Sequence, residues 1–356
     1  MAALGKALLA TLVVALAVFI GHRLLKLKEM SLTSREVTNK HLKCRHLENI
    51  ECGSEDITIM KDGMAFISAG LKYPGMPSFS DEPGKIYMMD LLHPKPTPVE
   101  LQIKGELDLS TFNPHGISLY TDPTDDSVYL LVVNHPQEDS HIEIFRFVEG
   151  NTLLHLKTIT HPLLHSVNDI VAVGVDSFYA TNDHSTPIKA LHYLLVFLGL
   201  PGCDVVYYSP GDVRVTAAGF GSANGINISP DRRYIYVSDI LDHEVDVFER
   251  KDGEQLQYVK SVNVGSLCDN IEVDPESGDV WLGCHPNASK LMSFNPEDPP
   301  GSEVVRVKAI LSRQPQVTQV YADDGRQLMA SSVAAVFEGK LLIGSVFQKA
   351  LYCDLE

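Results

Sequence analysis

The sequence predicts an all-β chain, a six-bladed β-propeller with four strands per blade, preceded by an N-terminal hydrophobic helix and covered on one face by a helix or helices. Three observations carry this prediction. From about residue 50 onward, short runs of alternating apolar and polar residues are split by Asp, Gly, Asn and Pro, the period-two pattern of half-buried strands. One strand pair recurs six times, each copy opened by a polar residue. Helical periodicity is confined to the N-terminus and to residues 188–200, "IKALHYLLVFLGL", which stop at Gly199 and Pro201-Gly202.

The N-terminal segment comes first. Lys6 precedes an unbroken apolar run over residues 7–21, followed by Arg23, Lys26 and Lys28. The run is at the short end for crossing a bilayer and also matches a signal-peptide core. Ala15-Leu16-Ala17 offers small residues to a signal peptidase, but Val18, Phe19 and Ile20 carry the apolar stretch past it. Leu24, Leu25 and Leu27 then alternate with basic residues, as in an interfacial helix. Residues 1–30 are therefore expected to be a retained signal anchor or amphipathic helix. Residues 31–356 are expected to form a single propeller on the lumenal or extracellular side of the secretory pathway, secreted or membrane-associated.

The chain is acidic: 29 Lys and Arg against 46 Asp and Glu give a net charge of −17. That balance excludes a nucleic-acid partner, which needs a basic face, and suits either a cation-binding protein or a soluble surface. Six cysteines (Cys44, Cys52, Cys203, Cys268, Cys284 and Cys353) permit disulfides in an exported chain without specifying their pairing. Cys44 and Cys353 flank nearly the whole propeller. A bridge between them would close a loop stabilised by roughly 5–6 kcal/mol in the chain-entropy picture.

The repeat carries the functional information. "EDITIMKDGMAFISAG", "HGISLYTDPTDDSVYLLVVNH", "NDIVAVGVDSFYATNDH", "NGINISPDRRYIYVSDI", "NIEVDPESGDVWLGCH" and "SVAAVFEGKLLIGSV" each place a polar leader before an apolar strand, an Asp/Gly turn and a second strand. Intervals between leaders are 60, 53, 56, 46 and 62 residues, as for four-stranded blades with insertions. In a propeller the innermost strands line a central channel. Glu55, His115, Asn168, Asn224, Asp269-Asn270 and Ser331-Ser332 should therefore converge on one axis. A single capping Asn or Asp at a strand start is ordinary, whereas a whole series at one register indicates a site.

The chemistry of that series is oxygen-rich. Glu55 and Asp269 bring carboxylates, and Asn168, Asn224 and Asn270 bring neutral carbonyl oxygens; such a hard donor set suits calcium, whereas zinc would draw on paired Cys and His. Asp56 and Asp169 lie one residue beyond two of these ligands. On a regular strand they would face the other way, placing them to hold a second ion lower in the channel. His115 shares the ligand register and is the general-base candidate, with His135 after the next strand positioned to orient it or relay protons. Tyr73, His184, His285 and Ser332 are the remaining candidates to line a pocket. No G-x-S-x-G elbow supports a serine nucleophile.

The motifs "GSEDI", "GLKYPGMPSF", "FNPHGIS", "LLVVNHP", "NDIVAVG", "TNDH", "ANGINISPD", "VDPESGD", "GCHPN" and "KALYC", running in order between Cys44 and Cys353, resemble those of the vertebrate paraoxonases. The resemblance implies a calcium-dependent hydrolase of lactones and aryl esters with two calcium ions. The catalytic ion would be held by Glu55, Asn168, Asn224, Asp269 and Asn270. The structural ion would be held by Asp56, Asp169 and the backbone carbonyl of Ile117. It also implies a His115/His135 dyad, with Glu55 or Asp269 as the other base or nucleophile candidates, a Cys44–Cys353 disulfide, a free thiol at Cys284, and docking of the N-terminal helix to a membrane or lipoprotein surface. Two other readings stay open on the same residues: a phosphotriesterase, or a non-catalytic calcium-stabilised propeller that binds lipid or a protein partner. Ser185 and the helix over 188–200 depart from the family pattern, as does Gln348, where a His is usual. Gly253 and Asp324 replace the usual glycosylation sequons, leaving Asn227-Ile228-Ser229 and Asn287-Ala288-Ser289.

Overall fold

The structure, a computed structural model, describes residues 2–50, 52–73 and 76–355. Alternating apolar positions fold into six sheets, the blades, antiparallel but for one edge strand. Their innermost strands are Ser54–Ile59, Pro114–Thr121, Val167–Ala172, Ala223–Ile228, Leu267–Val273 and Ser331–Phe337 for blades 1 to 6. Each inner strand contacts the next, and the sixth contacts the first, so the ring closes around a channel.

Four strands per blade hold except in blade 2. There Gln102–Lys104 adds a fifth strand, parallel to Thr152–Ile159 on the outer edge. Blade 6 takes three strands from the C-terminal end of the chain and its outermost strand, Lys43–His46, from the N-terminal side. Cys44 and Cys353 stand directly opposite each other in that pairing and form a disulfide across 309 positions of sequence. Ring closure is thus both hydrogen-bonded and covalent.

The blades adhere through their side-chain faces. Leu131, Ile142, Ile170 and Phe178 fill the space between blades 2 and 3, and Val245, Val262, Ile271 and Leu282 fill that between blades 4 and 5. Comparable apolar clusters occupy the other interfaces. At about 25 cal/mol per Å² of apolar area removed from water, this interblade burial is the main force holding the ring together.

Among the described residues, three α-helices lie outside the sheets. Helix α1, Ala2–Met30, is exposed, and is long and hydrophobic enough to cross a bilayer, with a mean hydropathy of 2.3 over an 18-residue stretch within Leu4–Met30. Helix α2, Lys189–Leu198, occupies the segment expected from the sequence and ends where Gly199 adopts φ 72°, the left-handed cap that glycine accepts without strain. Arg23 of α1 donates from Nε to the Phe197 carbonyl at 2.5 Å and from a terminal nitrogen to the Val196 carbonyl, joining the two helices at the negative end of α2. Helix α3 is the short turn Ala288–Ser293, capped by the Asn287 side chain.

Candidate active site and metal centre

The polar leaders lie at the start of every inner strand, and a local irregularity explains how they reach the channel. In all six blades the pairing of the inner strand with its neighbour shifts register at the same place: Ser54/Asp56, Pro114/Ile117, Val167/Ile170, Ala223/Ile226, Cys268/Ile271 and Ser331/Ala334. Such bulges release one or two residues from the ladder and re-aim them. Consecutive residues can therefore both serve the channel, and Asp56 and Asp169, each one residue beyond a leader, line a cavity within it. Asp56 accepts from Ile117 N at 2.7 Å, and Asp169 from Ile226 N at 2.8 Å, so each carboxylate also stitches its blade to the next.

Glycine is required where the strands close in. A Cβ on Gly116 would lie 2.3 Å from Asp169 Oδ1, and one on Gly225 would lie 2.4 Å from the Asp269 carbonyl. The first contact means that the Asp169 carboxylate fills the place of a side chain at residue 116.

Four buried oxygens at this level, Glu55 Oε2, Asn168 Oδ1, Asn224 Oδ1 and Asn270 Oδ1, have no hydrogen-bond partner among the described residues. Glu55 Oε1 accepts from Asn270 Nδ2 at 2.8 Å. Asp269 Oδ2 is bound by His285 Nε2 at 2.8 Å, and Ser332 Oγ donates to the Glu55 carbonyl at 2.6 Å. Among the described residues, Glu55 and Asp269 pair with His115 and His285 and with no Lys or Arg, and Asp56 and Asp169 form no ion pair. Burial, and then repulsion from Asp269 and Asp56, hold the Glu55 carboxyl well above its ordinary range. Burial likewise pushes Asp56 to about 7. Buried anionic oxygens without cationic partners are costly unless they coordinate a metal. Their hardness and number fit calcium.

His115 is buried beside this set, with Nε2 3.6 Å from Glu55 Oε1 and Nδ1 3.0 Å from His135 Nε2. The outer nitrogen of His135, Nδ1, faces the Asp139 carbonyl at 3.2 Å. Burial, followed by the neighbouring His135, lowers His115 to about 3; burial also lowers His135. Both rings are therefore neutral near pH 7. Over them opens a cavity of about 120 Å³ lined by Tyr73, Asn113, His135, Ser140, His184 and Tyr193. Tyr73 donates its hydroxyl to Asp183 Oδ2 at 2.8 Å, and Asp183 Oδ1 meets His184 Nδ1 at 2.5 Å.

Most of the residues expected from the sequence are thus brought to one end of the channel, while Tyr73 and His184 form the wall above it. Asp183 was not among them, although it stands inside the quoted "TNDH". Its neighbourhood with Tyr73 spans 110 positions of sequence. Asn113 was also missed; its amide exchanges hydrogen bonds with both backbone groups of Lys72 and so fixes the Tyr73 segment.

The expected free thiol at Cys284 is corrected. Cys268 and Cys284 stand opposite one another on adjacent strands of blade 5 and form a second disulfide. Of the remaining cysteines, Cys203 is buried with Sγ on the Asp183 carbonyl, and burial pushes its thiol up to about 12. The amides of both remaining sequons are engaged: Asn227 Nδ2 donates to the Ile271 carbonyl at 2.7 Å, and Asn287 Nδ2 to that of Thr33.

A profile of the Arylesterase family matches residues 36–355. The chain is 54% identical to serum paraoxonase/arylesterase 2 of Gallus gallus over 99% of its own length and 100% of that protein. It is 54% identical to human serum paraoxonase/arylesterase 1, covering 88% of each chain, and 49% identical to human serum paraoxonase/lactonase 3 over 94% and 96%. Among solved structures, a calcium-binding regucalcin of Agrobacterium tumefaciens superposes with a TM-score of 0.51 at 13% identity, covering 88% of this chain and 94% of that one. That last likeness is one of fold.

Proposed function

The chain belongs to the arylesterase family of serum paraoxonases, and from that premise we propose that it is a calcium-dependent hydrolase of lactones and aryl esters. The observation that carries the reading is the convergence of four unpartnered buried oxygens beside a coupled pair of neutral histidines. Glu55, Asn168, Asn224, Asp269 and Asn270 would hold the catalytic calcium, and Asp56, Asp169 and the Ile117 carbonyl a deeper, structural one. When bound, the catalytic ion supplies positive charge that polarises the substrate carbonyl and stabilises the developing oxyanion.

The protein's own part is to hold a base. The Asp139 carbonyl can only accept, so it selects the tautomer of His135 protonated at Nδ1. His135 Nε2 is then an acceptor, and His115 must donate to it from Nδ1. That leaves His115 Nε2 as a lone pair facing the channel beside Glu55, able to take a proton from an attacking water. The charge so formed can pass outward to His135, the less buried ring. Asp269, bound to His285, is the alternative base or nucleophile.

The cavity above these groups is small and mixed in polarity, which suits a compact cyclic or aryl ester. The exposed apolar α1 and the disulfides support a place in the secretory pathway with the helix in a membrane or lipoprotein surface. A pH-indicator assay with a medium-chain lactone tests the proposal. Hydrolysis is expected to vanish in a calcium chelator and return on adding calcium back; undiminished turnover without calcium would refute it. Relative rates on lactone, aryl ester and phosphotriester then separate the substrate classes.

A further inference from the structure

A buried carboxylate in blade 2 has no part in the steps above. Glu143 stands on the strand His141–Val148, opposite Val132 on one side and Thr158 on the other, and is fully buried. Among the described residues its ion pair is with His155, Nε2 to Oε2 at 2.9 Å, and the Thr158 hydroxyl donates to the same oxygen at 2.5 Å. A register shift between His155 and Lys157 in the outer strand Thr152–Ile159 lets these two donors, three positions apart, reach one face.

The other oxygen serves the inner side of the blade. Glu143 Oε1 accepts from Asn134 Nδ2 at 2.9 Å, and Asn134 Oδ1 accepts from Asn113 N at 2.9 Å. A backbone N–H can only donate and an ionised carboxylate can only accept, so both ends fix the same orientation of the Asn134 amide. Asn113 is held in the same manner by Lys72, whose N–H donates to Oδ1 at 2.7 Å and whose carbonyl accepts from Nδ2 at 3.0 Å. The same Nδ2 reaches the His135 carbonyl at 3.4 Å, and the Asn113 carbonyl accepts from His135 N at 3.0 Å. Hydrogen bonds thus run without a break from the outer strand of blade 2 to the backbones of His135 and of Lys72, the residue before Tyr73.

His135 depends on this support. It lies one residue past the end of the strand Val128–Asn134, at φ −115° and ψ 69°, outside the extended geometry of the ladder. Asn113 binds both of its backbone groups, while its Nε2 must stay 3.0 Å from His115 Nδ1. Without an acceptor at residue 143, Asn134 Nδ2 becomes a buried unpaired donor, and any shift that satisfies it is favoured. An Asn134 amide turned over would set Nδ2 against the Asn113 N–H, donor against donor, and displace Asn113 from both segments that it joins.

We propose that Glu143 is a positioning residue for hydrolysis, holding His135 and the Tyr73 segment in place through the amides of Asn134 and Asn113. The role rests on the histidine-dyad reading above. The test is kcat on a medium-chain lactone, per folded molecule of the full-length, calcium-loaded chain in detergent. Glu143→Met is expected to lower kcat by up to about 100-fold, the cost of a misplacement of about 1 Å at the reacting groups. Glu143→Gln keeps an oxygen for Asn134 Nδ2 and is expected to restore most of the loss. Adding Glu143→Met to His115→Gln should cost nothing further, because the two act through one dyad. A His115→Gln enzyme with wild-type kcat would overturn the dyad reading and this role with it. A His115→Gln enzyme that loses kcat beside a folded Glu143→Met enzyme that keeps it would overturn the role of Glu143 alone. So would equal losses in Glu143→Gln and Glu143→Met, or a full further loss in the double variant. Should Glu143→Met fail to fold, Glu143→Asp, whose carboxylate is one methylene too short for Asn134, carries the test: a lower kcat than that of Glu143→Gln supports the role, and an equal one overturns it.

Discussion

His115 illustrates how much one side chain depends on its surroundings. A solvated histidine titrates near pH 6.5, but burial and His135 hold this one near 3, so it is a neutral acceptor throughout the physiological range. Its hydrogen-bond chain through His135 to the Asp139 carbonyl sets which nitrogen is bare. Replacing His115 with Gln is expected to lower kcat on a lactone by about 10²- to 10⁴-fold, the usual worth of a general base. Calcium stoichiometry should not change. His135→Gln should cost less, because the proton-accepting nitrogen belongs to His115. A His115→Gln enzyme with wild-type kcat would move the base role to Asp269 or Glu55.

At the scale of elements, the bulge that opens every inner strand is the device that makes a site out of a repeat. Blade 5 adds a covalent element at the same place, since Cys268 and Cys284 precede Asp269 and His285 on adjacent strands. The loop closed by this bridge spans 16 positions, for which chain entropy corresponds to about 3 kcal/mol. The double variant Cys268→Ala, Cys284→Ala is expected to lose stability by up to about that amount, read as a lower denaturation midpoint with the slope unchanged. A midpoint equal to that of the wild type would show that the bridge adds nothing to stability. Helices α1 and α2 form the other extra element, joined by Arg23. Deleting residues 2–30 is expected to abolish binding to phospholipid vesicles while lactone turnover in solution persists. Retained vesicle binding would assign the membrane contact to α2.

For the whole molecule, calcium and pH act on stability together. Without a cation the folded chain keeps Asp56 near pKa 7, above the value of about 3.9 for an unfolded Asp. The folded state then binds the extra proton, so this group's contribution to stability is present at low pH and lost as pH rises through 7. Calcium requires the deprotonated carboxylates and reverses the trend. The rise in Tm on adding calcium should therefore be larger at pH 8 than at pH 5, and at free calcium a hundredfold above Kd the stabilisation is about 2.7 kcal/mol per ion. Equal shifts at the two pH values would disprove the linkage.

The repeat, the six polar leaders and the apolar N-terminal helix are legible in the sequence because each is local: a strand period, a turn residue and an unbroken run need only neighbouring positions. The calcium-type donor set follows from residue types at one register, and the resemblance to the paraoxonases added the closing disulfide. What is not legible depends on which distant residues meet. Alternation alone does not show the bulges that open the inner strands, because a bulge is a property of paired strands. Cys268 and Cys284 join because register sets them opposite one another, which residue spacing does not reveal. Tyr73 finds Asp183 across 110 positions only because the ring closes. The sequence by itself determined the blades and the chemistry each could bring; tertiary structure decided which of those groups share a low-dielectric channel, where their charges and protons become coupled.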